Sequence, residues 1–403
     1  MRKELSPLLV LIMAAATGLA VACNYYAQPL LPTIAKAFGA SPARAGFIVT
    51  TAQMGYGLGL LVIVPLGDLV ERRGLVVYMS LLSAAGLLIT AMAPSMAWVL
   101  VGTGLTGLFS VVAQLLVPFA ATLAAPERRG KVVGTVMSGL FLGILLARTV
   151  AGALANLGSW RLIYWVGAAA MILAAAVLRR ALPRYHEPLG LSYLALMRSV
   201  VTLFRDEPVL RLRALFGATA FGAFSVLWTS ISFLLAAPPY GYSAGTIGLF
   251  GLAGVAGALA ASGAGRLGDR GHGQRVTGWG LALLLLSWGV LACGHRSLAA
   301  LVAGILLLDL AAQAIHISNQ HAIYRIRPEA RNRLTAGYMT CYFIGGAVCS
   351  LLSASAYGLA GWAGVTAVGA AVSGIGLAGW ALWRHQALPG GPGERPPSRV
   401  GES

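Results

Sequence analysis

Two charged side chains stand alone inside long apolar stretches of this 403-residue chain: Arg148 within residues 132–155, and Asp309 within residues 298–323. An ionised group in hydrocarbon costs at least about 2.5–3.5 kcal/mol, so such a residue is kept where it meets a partner, a water-filled cavity or a ligand. At 1.5 Å per helical residue, Arg148 lies ~12 Å from the C-terminal end of its stretch and Asp309 ~17 Å from the N-terminal end of its own, both of which are the outer ends. A guanidinium and a carboxylate at comparable depth can pair across a central cavity, and a substrate or a proton that breaks the pair would then act as a switch. A carboxyl in apolar surroundings holds a proton more readily than in water, and a neighbouring guanidinium opposes this. The alternatives are a static buried pair, or an arginine reaching for the outer headgroups.

Asp309 does not stand alone on its helix. Asp309, Gln313, His316 and Gln320 are spaced 4, 3 and 4 apart, which places them on one helical face. A polar stripe on a membrane helix must face protein or a water-filled cavity. His316 is the second candidate proton carrier, because imidazole titrates near neutrality. The bland alternative for His316 is a hydrogen-bonded contact between helices. A second stripe, Thr103, Thr106, Ser110 and Gln114, has spacings of 3, 4 and 4. Asn24 and Gln28 are four apart and are expected on one face near the outer mouth. Gln53 and Trp228 complete the expected cavity wall, where the indole can stack on a planar or apolar solute.

The elements that must position these residues follow from composition. Apolar residues make up 58% of the chain and charged residues 10%, with a mean hydropathy of +0.79. A water-soluble domain carries about 25% charged residues, so this chain has too little polar surface to face water all round. A membrane span needs about 20 apolar residues. Such runs occur near 7–27, 45–66, 75–93, 97–124, 132–155, 160–181, 213–236, 244–264, 276–294, 298–323, 334–358 and 362–383. The reading is an all-α membrane protein of about twelve transmembrane helices. The longest polar interruption, 182–212, divides it into an N-terminal six-helix bundle (1–181) and a C-terminal one (213–383). Residues 384–403, rich in Gly and Pro, are expected to be a disordered cytoplasmic tail. Arg2 and Lys3 before an apolar run ending at Cys23 resemble a secretion signal, but a second long apolar run follows, and residues 7–27 are read as the first span.

Net charge is +17, and its distribution sets sidedness rather than a nucleic-acid surface. Of the 29 Lys and Arg, 24 fall at the termini and in the loops after even-numbered spans, and four fall in the opposite loops. That bias places both termini in the cytoplasm. Cys23, Cys293, Cys341 and Cys349 lie in or beside apolar runs with no metal-binding spacing, so neither a metal nor another cofactor is expected.

The halves repeat each other. Pro126-Glu127-Arg128-Arg129 recurs 202 residues later as Pro328-Glu329-Ala330-Arg331, and Trp160 with Gly167-Ala168-Ala169 recurs as Trp362 with Gly369-Ala370-Ala371. Gly67 with Glu71-Arg72 recurs 198 residues later as Gly265 with Asp269-Arg270. Near-constant offsets indicate two pseudo-symmetric six-helix repeats.

On these features the chain resembles the major facilitator superfamily, and within it the drug- and sugar-efflux proton antiporters. The loop after span 2 carries the resemblance: Gly67-Asp68-Leu69-Val70-Glu71-Arg72-Arg73-Gly74, with Glu71 where the family signature has Asp. Its repeat Gly265-Arg266-Leu267-Gly268-Asp269-Arg270 keeps the acid. Asn24-Tyr25-Tyr26-x-Gln28-Pro29 and Trp160-Arg161 are similar to efflux proteins as well. The resemblance implies that spans 1, 4, 7 and 10 line a cavity and that the signature residues gate it. It also implies a monomer in the inner membrane, moving a small solute against protons. Span 5 lacks the Gly-Pro signature of such antiporters, and span 4 lacks their arginine. Acids and arginines at helix ends can pair across a domain interface and break as the halves rock. The rival readings are a proton symporter or facilitator for uptake, and a membrane sensor that does not translocate. An enzyme is disfavoured, because no phosphate-binding loop, His-Glu-x-x-His or Gly-x-Ser-x-Gly is present.

Overall fold

In hydrocarbon each backbone N–H and C=O must find its partner within the protein, and a helix supplies these partners inside a single segment. The computed structural model describes residues 6–186, 192–254, 273–327 and 330–383, and every regular element among them is helical. The first half contributes α1 (Pro7–Ala22), α2 (Pro42–Val62), α3 (Arg72–Ala91), α4 (Met96–Leu123), α5 (Arg129–Asn156) and α6 (Leu162–Ala181). The second contributes α7 (Pro208–Ala236), α8 (Ala244–Ala253), α9 (Gly273–Ala292), α10 (Leu298–Tyr324), α11 (residues 331–359) and α12 (residues 362–383). Residues 255–264 of the stretch read as span 8 lie outside the described residues.

Local sequence sets the helix starts and breaks. Ser6-Pro7 and Ser41-Pro42 open α1 and α2: each serine oxygen accepts the backbone N–H three residues on, and the proline occupies the first helical position, where no N–H is needed. Between α11 and α12 the helix breaks at Ala360 and Gly361, where Gly361 has φ +58°, a conformation glycine adopts freely. Helix α1 stops at Ala22, earlier than the expected 27. A turn, a short 3-10 segment at Gln28–Leu30 and the helix Leu31–Ala37 follow, because Pro29 and Pro32 cannot continue the hydrogen-bond ladder. Asn24 and Gln28 therefore do not share one regular helical face.

Helix pairing repeats between the halves. Contacts of α1 with α5, α3 with α4 and α3 with α6 recur as α7 with α11, α9 with α10 and α9 with α12. Small residues allow the closest of these: the backbone of Gly18 in α1 lies directly against Gly139 and Gly143 in α5, where a Cβ would overlap main chain. The halves meet along two further pairs, α2 with α11 and α5 with α8. The stretch read as a linking loop, 182–212, holds an amphipathic helix, Tyr193–Asp206, with Leu196, Val200 and Leu203 buried. Helix α7 begins at Pro208, five residues before the expected 213. The linking helix marks one end of the bundle, called the linker end below; the other is the far end.

Candidate functional site

A cavity of about 1000 Å³ lies between the halves. It runs from a layer containing Arg148 and Asp309 to the linker end, where Asp68, Arg72, Leu196 and Arg333 line it. Of the residues expected on its wall, Asn24, Gln114, Gln313, His316 and Gln320 are there, with Arg148 and Asp309. Gln28, Gln53 and Trp228 lie off the wall and hold other residues in place. Helix α4 breaks at Ser110, whose hydroxyl accepts from the Asn24 side chain at 2.7 Å and so fixes that amide at the cavity wall.

Arg148 and Asp309 are 2% and 3% exposed, and they do not form a direct ion pair. Trp228 of α7 stands between them. Its ring centre lies 3.9 Å from the guanidinium carbon of Arg148, and its indole N–H donates to Asp309 Oδ1 at 3.3 Å. Tyr25 and Phe224 add faces at 4.9 and 5.5 Å from the same guanidinium. Arg148 Nε donates to Gln28 Oε1 at 2.6 Å, while its Nη2 has no hydrogen-bond partner. A desolvated cation over an aromatic face gains about 2 kcal/mol or more, and a hydrogen bond to a charged group gains about 1.5–3 kcal/mol. Together these offset part of the cost of burying the guanidinium. The two charges are therefore each held, but held apart.

His316 faces α11. Its Nδ1 lies 3.0 Å from the Tyr338 hydroxyl, and its ring packs 4.8 Å from that of Tyr342. One side of the ring still meets the cavity.

The far end is shut by direct contacts between the halves. Thr50 and Ser350 share a hydrogen bond of 2.7 Å, and Gln53 donates to Ser225 at 3.0 Å. Across the α5–α8 contact, Thr149 donates to the Gly248 carbonyl at 3.0 Å, and Asn156 bonds both Ser243 and the Gly245 N–H at 3.2 Å. Gly248 and Gly251 lie against the main chain and side chain of Arg148, respectively, so α5 and α8 touch at the level of the charge layer.

Two repeated six-helix halves enclosing a largely apolar cavity that carries a few charged and polar side chains, open at one end and sealed at the other, have known counterparts. The model of the Major Facilitator Superfamily matches residues 13–276 and 217–401. The chain belongs to that superfamily. It is 60% identical to the uncharacterized transporter YgaY of Escherichia coli over 94% of this chain and 96% of that protein. It is 36% identical to a transporter of Streptomyces coelicolor over 89% of this chain and 84% of that one. Among solved structures, it is similar to a bacterial homologue of the human lysosomal transporter Spinster in an inward-facing, occupied conformation, at a TM-score of 0.75, 15% identity and coverage of 94% and 96%. It is also similar to the nucleoside transporter NupG, at a TM-score of 0.75, 12% identity and coverage of 93% and 100%.

As a superfamily member the chain is a membrane transporter, and its signature after α2 can be placed. Asp68 pairs with Arg72 at 3.2 Å, and Arg72 also donates to the Gly67 carbonyl at 3.0 Å and to Thr122 at 3.1 Å. Glu71 caps α3 by accepting the backbone N–H of Arg73 and Gly74, at 2.9 and 2.8 Å. The Arg73 side chain reaches the carbonyls of Arg179 and Leu182, both at 3.4 Å. All these bonds stay within the first half, so none crosses the interface in this conformation. Gly265, Asp269 and Arg270 lie outside the described residues. Sequence reasoning passed over Arg213, counted there with the linker. Arg213 is buried inside α7 and donates to Thr277 at 2.8 Å, Gln274 at 2.8 Å and Asn319 at 3.3 Å. The available signal was Asn319, three residues beyond His316 and so on nearly the same face of α10.

Proposed function

We propose that this superfamily member is a proton-coupled secondary transporter that exports a small organic solute in exchange for protons. The observation that carries the reading is the pair of buried opposite charges, Arg148 and Asp309, separated by Trp228 at the inner limit of a cavity between two halves. A carboxylate that faces a cavity and has no ion-pair partner can give up its charge to a proton or meet a ligand, and a site that does one at a time couples the two fluxes.

The excess of Lys and Arg at the linker end supports a cytoplasmic location for that end and for both termini, in a bacterial inner membrane. The conformation is then inward-facing. The bundles 1–181 and 213–383 would rock about the α2–α11 and α5–α8 contacts, opening the far end as the linker end closes. The cavity is complete within one chain, which supports action as a monomer. The likeness of the loop after α2 and of the end of α1 to efflux antiporters supports export as the direction.

The test uses purified protein in liposomes with a trapped pH-sensitive dye. Candidate amino acids, sugars and cationic drugs are added in turn to wild type and to Asp309→Asn. Proton movement opposite to the solute in wild type, lost in the variant, is the expected result. Solute that crosses without protons, or a variant that couples normally, would make this a facilitator. Protons moving with the solute would make it an uptake symporter.

A further inference from the structure

We infer that the cavity binds a zwitterion of the amino-acid type, its carboxylate on Arg148, its ammonium on Asp309 and an apolar side chain among the aromatic rings beside them. This inference rests on the transport reading above and names its solute.

The two charges sum to zero, yet they do not neutralise each other. Trp228 keeps them apart, with the guanidinium stacked on its ring and the carboxylate on its N–H. Gln28 pins the far side of the guanidinium through Nε, which leaves Nη2 without a partner on a residue that is 2% exposed. On Asp309, Trp228 occupies one carboxylate oxygen. Each group thus keeps an unspent bond, and both groups line the same cavity.

Ligand charge decides which solute fits. A simple anion on Arg148 would bring a second negative charge beside Asp309, and a simple cation on Asp309 would do the reverse beside Arg148. A sugar hydroxyl would leave both buried charges without a counter-charge. Breaking or omitting one partner of a buried charge pair costs several kcal/mol, so the ligand that satisfies both is strongly favoured. A molecule carrying carboxylate and ammonium a few bonds apart does this with no net charge added. Phe221, which stacks on Tyr342 at 4.2 Å and meets Phe343 edge to face at 5.0 Å between ring centres, supplies with these two rings an apolar wall for its side chain. The ammonium and a proton would then compete for Asp309, which is how exchange arises.

Binding of phenylalanine to the full chain in nanodiscs tests this, measured by calorimetry against its methyl ester (cation only), N-acetylphenylalanine (anion only) and N-acetylphenylalanine amide (neutral). Phenylalanine should bind at least about tenfold more tightly than each blocked analogue, a difference of about 1.4 kcal/mol. Arg148→Gln should erase its advantage over the ester, and Asp309→Asn its advantage over the N-acetyl acid. Elution of both variants as the wild type does would show that they are folded. A blocked analogue that binds as well as phenylalanine, or no binding across the series, overturns the inference. If the series fails but a sugar or a cationic drug still drives Asp309-dependent proton movement in liposomes, the transport reading survives alone. If phenylalanine binds with this charge pattern but moves no protons, the site stands and the exchange reading falls.

Discussion

Sealing the far end with a covalent bond should hold the protein in the conformation described here. A Cβ built on Gly358 of α11 would lie 4.0 Å from the Cβ of Ala43 in α2, across the interface between the halves. Disulfides join Cβ atoms about 3.5–4.5 Å apart, so the pair Ala43→Cys and Gly358→Cys meets the geometry without backbone movement. Both positions are at least partly exposed and open to an oxidant, and Cys293, an exposed native thiol, would first be replaced by Ser. The far end is held in addition by the Thr50–Ser350 and Gln53–Ser225 hydrogen bonds. At about 0.5–1.5 kcal/mol each, these give about 1–3 kcal/mol, a bias of roughly 5- to 150-fold toward the closed far end. The cross-link should therefore form rapidly with a mild oxidant, because most molecules already hold the two residues together. Once formed, it should abolish solute exchange in liposomes, and a reductant should restore exchange. Binding from the linker end should persist in the cross-linked protein. Failure to cross-link, or full transport by the cross-linked form, would refute the assignment of α2–α11 as the contact that opens and closes.

Three further outcomes follow from particular contacts. Arg148→Lys keeps the charge but loses the planar stack on Trp228 and the Nε bond to Gln28, so solute transport should fall at least about tenfold and the melting temperature should fall with it. Gly143→Val forces a side chain into the main chain of α1 at Gly18 and should destabilise the first half by at least about 1–3 kcal/mol, read as a lowered melting temperature; Gly130→Val, with nothing within 4 Å, is the control that should not. Asp68 and Arg333 line the cavity mouth from opposite halves and are read as partners when the linker end closes. Asp68→Asn should slow transport about 2- to 5-fold, the range of a partly exposed pair, and the charge swap Asp68→Arg with Arg333→Asp should restore more of it than Asp68→Arg alone.

How far the sequence carried the reading differed between fold and site. Twelve apolar stretches, the basic residues between them and the offsets of 198 and 202 residues pointed to two six-helix halves, because the bilayer imposes length and backbone pairing on any span. The start of α2 was read at 45, three residues late, because the cap Ser41-Pro42 that opens the helix precedes the apolar run. The early end of α1 was missed although Pro29 and Pro32 were visible, since an apolar run conceals a turn that buries its own side chains. The helix Tyr193–Asp206 was missed because its arginines were counted as topology and its 3- and 4-residue spacing of Leu196, Val200 and Leu203 was not followed.

At the site, depth within a span identified Arg148 and Asp309, and helical spacing brought Gln313, His316 and Gln320 to the same wall. Spacing says nothing about what stands between two helices. Trp228 looked like a residue to stack a solute, and the same indole chemistry, a face for a cation and one N–H for an acid, is used instead on the protein's own two charges. A sequence can show that opposite charges are buried at similar depth. Whether they collapse together or wait for a ligand is decided by the bulk placed between them. In this chain an indole wide enough to touch both prevents the collapse, and it is the reason the pair can be read as a receptor rather than a brace.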